Sequence, residues 1–129
     1  MLLDRAKKLT ALGVVQGEED RQSLQGILAR STWVLQLAST FQQAQYALHD
    51  RAIGVIVTDP DLPGAYSWRH TAQFATQIAP PPAVIVASRW GDDRLWAAVL
   101  NLGGFDLIWK PFDAIERARM EGILQSAKG

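Results

Sequence analysis

Two short strings, Ile53-Gly54-Val55-Ile56-Val57 and Ala83-Val84-Ile85-Val86-Ala87, are almost uninterrupted in apolar residues. A strand with one face in water alternates apolar and polar side chains, whereas a strand covered on both faces does not. These strings are therefore expected to be central strands of a parallel sheet with helices on either side. Runs of similar character recur along the chain, at Leu12 to Val15, Trp33 to Ala38, Ile53 to Thr58, Ala83 to Ser88 and Phe105 to Trp109. Longer segments of helical period separate them, which is the pattern of β-α units.

Each intervening segment carries a start or stop signal. Glu18-Glu19-Asp20 places negative charge where a first helix would begin, ahead of Leu24, Ile27 and Leu28. Thr40 is suited to cap a second helix bearing Phe41, Ala44, Tyr46, Ala47 and Leu48, and Tyr66 to Ile78 reads as a third. Pro80-Pro81-Pro82 ends that helix. Gly91-Asp92-Asp93 opens a fourth through Leu102, stopped by Gly103-Gly104, and Asp113 opens a fifth with Ile115, Met120, Ile123 and Leu124 expected inward. Five β-α units then fill the 129 residues, which are read as one domain (1–129, core about 9–127), with Lys7-Lys8 in a short lead-in.

Composition narrows the function. Hydrophobic residues make up 48% of the chain, enough for a real core. Thirteen basic and 13 acidic side chains balance, so no overall field draws the protein to nucleic acid or an anionic membrane, and neither is expected as a partner. Absence of cysteine rules out disulfides, thiolate metal sites and cysteine nucleophiles. With neither a signal-peptide pattern nor a membrane-length apolar run, a cytoplasmic location is the expectation.

In an open α/β sheet, functional groups collect at the carboxyl ends of the strands. Here those ends carry Asp59, Ser88 and Lys110. A carboxylate can attack a phosphoryl group while an ammonium and a hydroxyl hold its oxygens, giving an aspartyl phosphate. Singly, an Asp before a turn is usually a turn former. Three such residues at successive strand ends form a constellation.

The string Val55-Ile56-Val57-Thr58-Asp59-Pro60-Asp61-Leu62-Pro63-Gly64 resembles the phosphoacceptor strand and turn of response-regulator receiver domains, the CheY-like family. Lys110-Pro111-Phe112 is similar to their signature after the fifth strand, and Val14-Val15 with Glu18-Glu19-Asp20 resembles their first strand and helix. The likeness covers roughly residues 9–127. It implies a flavodoxin-like three-layer α/β sandwich with a five-stranded parallel sheet of order 2-1-3-4-5. It further implies Asp59 as phosphoacceptor, Ser88 and Lys110 as phosphoryl-binding residues, a cis Lys110-Pro111 bond, and a histidine kinase as partner in a two-component phosphorelay. On this reading the chain is a phosphorylated signalling module, not an enzyme.

Three departures from the family pattern bear on activity. Receivers usually hold Mg2+ with two acidic residues after the first strand, and here these are Gln16 and Gly17. Mg2+ binding, the one cofactor implied, is expected to be weakened, with Glu18 one position along as a substitute ligand. The residue after Ser88, normally small, is Arg89 followed by Trp90. Its guanidinium could pair with Asp59 or Asp61 in place of the metal, or point to solvent. Where the family often has an aromatic switch residue, this chain has Leu107. Metal-dependent phosphorylation is thus expected to be impaired, and the alternative is a pseudo-receiver that signals by protein binding alone.

Trp33, Trp68, Trp90, Trp96 and Trp109 are many for a domain of this size, and most are expected to pack internally. Trp96, Leu107 and Trp109 flank the face formed by the fourth helix, fifth sheet strand and fifth helix, a candidate homodimer or partner surface. His49 and His70 have no ligand-spaced neighbours and read as surface residues. Asp59-Pro60-Asp61 also matches the Asp-x-Asp pair of haloacid-dehalogenase-like phosphatases, but that pair normally follows the first strand. Neither a dinucleotide-binding glycine fingerprint nor a P-loop occurs.

Overall fold

The computed structural model describes residues 9–89, 93–101 and 105–128. Five parallel strands form the main sheet: β1 (Thr10–Val14), β2 (Val34–Ala38), β3 (Ile53–Thr58), β6 (Ala83–Ser88) and β7 (Phe105–Trp109). Two short antiparallel strands, β4 (Asp61–Leu62) and β5 (Tyr66–Ser67), form a hairpin after β3. The helices are α1 (Glu18–Ala29), α2 (Phe41–Asp50), α3 (Trp68–Ala75), α4 (Asp93–Asn101) and α5 (Ala114–Lys128). Sheet order is β2-β1-β3-β6-β7, which is 2-1-3-4-5 for the main-sheet strands alone. Among the described residues, no helix is long and apolar enough to cross a membrane.

Alternation along the strands builds two cores. Val55, Val57, Ile85 and Ala87 face Leu24, Ile27 and Leu28 of α1 and Met120 and Leu124 of α5. Leu12, Val14, Ile56 and Val84 face Phe41, Ala44, Ala47 and Leu48 of α2 and Ala75 of α3. A third cluster joins Val86 and Leu107 to Trp68 and Ala72 of α3 and Val99 of α4. The helices therefore cover both faces, as the two apolar strings require. On the α1 side, a Cβ on Gly13 would come within 3.1 Å of the Leu24 and Leu37 side chains. The missing side chain lets α1 settle close to β1.

Several boundaries differ from the sequence reading for local reasons. The third helix does not begin at Tyr66, because Tyr66 and Ser67 pair with Asp61 and Leu62, and Ser67 then caps α3 in a capping box with His70. It ends at Ala75, with hydrogen-bonded turns through Ile78 and a cis Ala79-Pro80 bond beyond. Ile115 is 69% exposed, not inward: it lies in the first turn of α5, where the buried face is set by Phe112, Glu116 and Met120. Thr40 caps α2 by accepting from Gln43 N–H, and Asp113 accepts from Glu116 N–H at the start of α5. Lys7, Lys8, Trp90, Gly91, Asp92, Leu102, Gly103 and Gly104 lie outside the described residues.

This packing separates two isoleucines that look equivalent in sequence. Ile56→Ala, at a fully buried position in β3, should cost about 2–5 kcal/mol. Ile115→Ala should stay within about 0.5 kcal/mol, and urea denaturation of both variants checks the contrast.

Candidate functional site

The carboxyl ends of the central strands continue their hydrogen bonding by one residue, and that extension creates the site. Asp59 N–H donates to the Val14 carbonyl (2.9 Å), fixing Asp59 beside the end of β1. Lys110 N–H donates to the Ser88 carbonyl (2.9 Å), fixing Lys110 beside the end of β6. β3 and β6 are neighbours in register, Thr58 opposite Val86, so Asp59, Ser88 and Lys110 share one edge. All three are buried or nearly so, and the Lys110-Pro111 bond is cis.

Within the edge, Lys110 Nζ donates to Asp59 Oδ1 in an ion pair whose two side chains are almost wholly enclosed. Asp59 Oδ2 accepts from the backbone N–H of Gln16 (2.9 Å). Gln16 thus supplies no carboxylate yet still orients Asp59 through its peptide. Its side-chain amide turns away to the Ser39 carbonyl, and Ser39 also accepts from Arg21. Ser88 lies buried one strand over from Asp59.

The residue not singled out in sequence is Asp20. It sits in the first turn of α1, buried, with Oδ2 accepting from Lys110 Nζ (2.8 Å) and from Arg89 (3.3 Å), and Oδ1 accepting from the second Arg89 nitrogen (3.2 Å). One ammonium therefore bridges two buried carboxylates, and a forked guanidinium closes the outer side. Gly17, the N-cap, admits this arrangement: a Cβ there would lie 3.2 Å from Asp20 Oδ2. The available signal was an acidic residue three positions after a glycine N-cap, which reads equally well as helix-dipole charge.

Arg89 therefore departs from expectation: its partner is Asp20, not Asp59 or Asp61, because the carboxylate of Asp20 points back across the helix start toward the β6 end. Its side chain remains 41% exposed. Asp61 is exposed at the start of the hairpin. Glu18 is exposed and accepts from the Gln22 side chain (3.4 Å), so it joins its own helix and not the pocket. Leu107 is not a surface residue; it is buried in the third core cluster. Trp96 and Trp109 stack with centroids 6.4 Å apart and planes 10° from parallel, Trp96 being 40% exposed.

Electrostatically, burial pushes the Asp20 carboxyl up, but its hydrogen bonds to Lys110 and Arg89 and their two charges outweigh burial and hold it below the ordinary value. The Asp20 hydrogen bond and charge raise the Arg89 guanidinium. A divalent cation such as Mg2+ needs hard oxygen ligands free to face it. Gln16 and Gly17 provide no carboxylate, and both oxygens of Asp20 are already taken by cations. As arranged, these residues do not fit Mg2+, and among the described residues no group of three His, Cys, Asp or Glu side chains is set to hold a metal.

No protein-family model matches the sequence, and no curated protein matches it. Solved structures do. The signal receiver domain of an HD domain-containing protein from Pseudomonas fluorescens Pf-5 is similar at a TM-score of 0.80 and 24% identity, over 95% of this chain and 88% of that one. The fold is that of response-regulator receiver domains. A response regulator from Thermotoga maritima matches with a TM-score of 0.77 at 21% identity, over 90% and 97% of the two chains. Chemotaxis response regulator CheY4 of Vibrio cholerae matches at 0.76 and 13%, over 89% and 97%. The receiver fold thus persists at low identity.

Linkage gives the site a pH signature. Because the folded-state Asp20 carboxyl is depressed, its stabilising contribution is complete above the unfolded value, about 3.9, and is lost as pH falls through the lower folded value. Asp20→Asn should be less stable than the parent at neutral pH by about 1–3 kcal/mol. The gap should narrow as pH falls below about 4, where the unfolded parent is protonated first and the folded Asp20 only at lower pH; urea melts across this range measure it.

Proposed function

We propose that this chain is a receiver domain of a two-component system and that Asp59 is its phosphoacceptor. The observation that carries the reading is the buried Asp59–Lys110 ion pair at the carboxyl edge of a receiver-fold sheet, with Ser88 at the end of the adjacent strand. Asp59 is held by a backbone N–H on one oxygen and an ammonium on the other, a carboxylate oriented for attack. In the transfer, an Asp59 oxygen bonds to phosphorus while the bond from phosphorus to the donor breaks. The donor's leaving group departs with the electron pair and takes up a proton. Lys110 offsets the charge gathering on the phosphoryl oxygens, and Ser88 contributes a hydroxyl at the same edge.

The donor is a phosphohistidine kinase, and the domain is the modified component, not the catalyst. With Gln16 and Gly17 in place of an acidic pair, phosphorylation proceeds without the usual help from Mg2+ and is correspondingly slow. The protein works in the cytoplasm. Its partner surface is the α4-β7-α5 face, centred on the stacked Trp96 and Trp109 and suited to a second copy or another signalling protein. Backbone pairing is blocked at that edge of the sheet, since Glu116 takes Trp109 N–H (2.9 Å) and Arg119 takes the Leu107 carbonyl (2.9 Å). Recognition there is through side chains.

A second reading has its own support. Asp20 and Asp59 are balanced by Lys110 and Arg89, charges that the chain itself supplies. A pocket satisfied in this way suits a phosphorylation-independent interaction module.

Incubation with acetyl phosphate, with and without Mg2+, followed by intact-mass measurement separates the two. The phosphoacceptor reading expects a single phosphoryl adduct that is absent in Asp59→Asn. Absence of any adduct on folded protein leaves the interaction module; an adduct that survives in Asp59→Asn overturns the assignment of the site.

A further inference from the structure

We infer that the Arg89 guanidinium stands in for the divalent cation of this pocket, and that removing it converts the pocket into a metal site built from Asp20 and Asp59. The inference deepens the phosphoacceptor reading and rests on it for its meaning in signalling, but its test needs no phosphoryl transfer.

Geometry comes first. Asp20 and Asp59 each accept from the same Lys110 ammonium, so their carboxylates lie no more than about 6 Å apart, twice a hydrogen-bond length. Two carboxylates at that separation, one from the first turn of α1 and one from the end of β3, make a pair of hard ligands that a divalent cation could bridge with waters completing its shell. The pair is an acidic pair in space, although the sequence holds none at Gln16 and Gly17. What stops it from acting as one is Arg89, whose two nitrogens engage both Asp20 oxygens from the solvent side.

Charge points the same way. Asp20 and Asp59 carry two negative charges, and Lys110 and Arg89 carry two positive ones, so the cluster is neutral. A divalent cation entering that cluster would meet two fixed positive charges and would have to break the Asp20–Arg89 fork, a bidentate pair of the stronger class. Without Arg89 the cluster carries one net negative charge and an open side. Arg89 is well placed for such a role because its side chain is half-exposed on the segment after β6, so its removal leaves Asp20 on α1 and Asp59 and Lys110 at the ends of β3 and β7. Gly17 completes the device: it leaves room for Asp20 to turn back into the pocket, where a side chain at 17 would crowd Oδ2 at 3.2 Å.

The guanidinium is delivered by the protein itself and does not exchange with solvent. The pocket's charge is therefore independent of metal concentration, and phosphorylation of Asp59 should not require Mg2+. With Arg89 gone, the reaction should become Mg2+-dependent.

The test titrates the full chain with Mn2+, reading free ion by electron paramagnetic resonance and confirming fold by circular dichroism. The parent should take up no stoichiometric Mn2+ up to about 1 mM, the weak end of protein cation sites. Arg89→Ala, with Arg89→Met as a second variant that keeps the apolar stem, should bind one equivalent at least about tenfold more tightly than the parent. Arg89→Lys should resemble the parent, and adding Asp20→Asn to Arg89→Ala should abolish the gain. Parent binding equal to that of Arg89→Ala overturns the inference, as does a folded Arg89→Ala or Arg89→Met that binds nothing. Failure of the phosphoacceptor reading looks different: Arg89→Ala gains Mn2+ while acetyl phosphate leaves Asp59 unmodified.

Discussion

The buried ammonium of Lys110 is the contact on which the pocket depends. It is shared by Asp59 and Asp20, so it ties the end of β3 and the start of α1 to the end of β7. A lysine so enclosed is stable only with carboxylates to meet it, and the carboxylates are stable there only with the lysine. Neither side of the pair can be removed without stranding the other. The backbone geometry that makes the contact possible is ordinary sheet hydrogen bonding carried one residue beyond the strands, from Asp59 to Val14 and from Lys110 to Ser88. Of the four charges, the sheet thereby places Asp59 and Lys110, the first turn of α1 supplies Asp20, and the segment after β6 supplies Arg89.

Gly17 and Asp20 form one unit in this arrangement. The glycine has an extended backbone, φ −79° and ψ 141°, that any residue could adopt, so its value lies in the space beside it. A carboxylate placed at 17 would set a like charge against Asp20 and displace it from Lys110 and Arg89. Gly17, the inward turn of Asp20 and the arginine after Ser88 thus act together: the glycine leaves the space, and Lys110 and Arg89 meet the carboxylate that fills it.

Much of this was legible in the sequence because it depends on short-range pattern. The apolar strings at 53–57 and 83–87 read as strands covered on both faces, and the order of motifs put Asp59, Ser88 and Lys110 at one edge. What the sequence left open depends on contacts distant along the chain. Asp20 and Arg89 are 69 residues apart, and nothing local distinguishes a helix-starting Asp that faces solvent from one that faces a pocket. Ile115 fits a helical apolar period, yet the face of α5 that turns inward is decided by Phe112 and Met120 against the sheet. Leu107 lies on the same face of β7 as Trp109, two residues on, but is buried among Trp68, Ala72 and Val99, whereas Trp109 packs at the margin of that cluster. Strand alternation fixes which residues share a face; only packing fixes which face is covered.

The pocket and the candidate partner surface are built from the same segments. Trp109 is the residue before Lys110, and it stacks on Trp96 of α4, the helix that follows the Arg89 segment. Glu116 and Arg119 of α5 seal the β7 edge beside them, so the aromatic pair is presented on a rigid edge. Lys110 and Arg89 thus each belong to a segment next to an element that carries one of the two rings. Adjacency of this kind places pocket and surface on one stretch of backbone. It joins the pocket to the α4-β7-α5 face through two adjacent residues, Trp109 on the stack and Lys110 in the charge cluster.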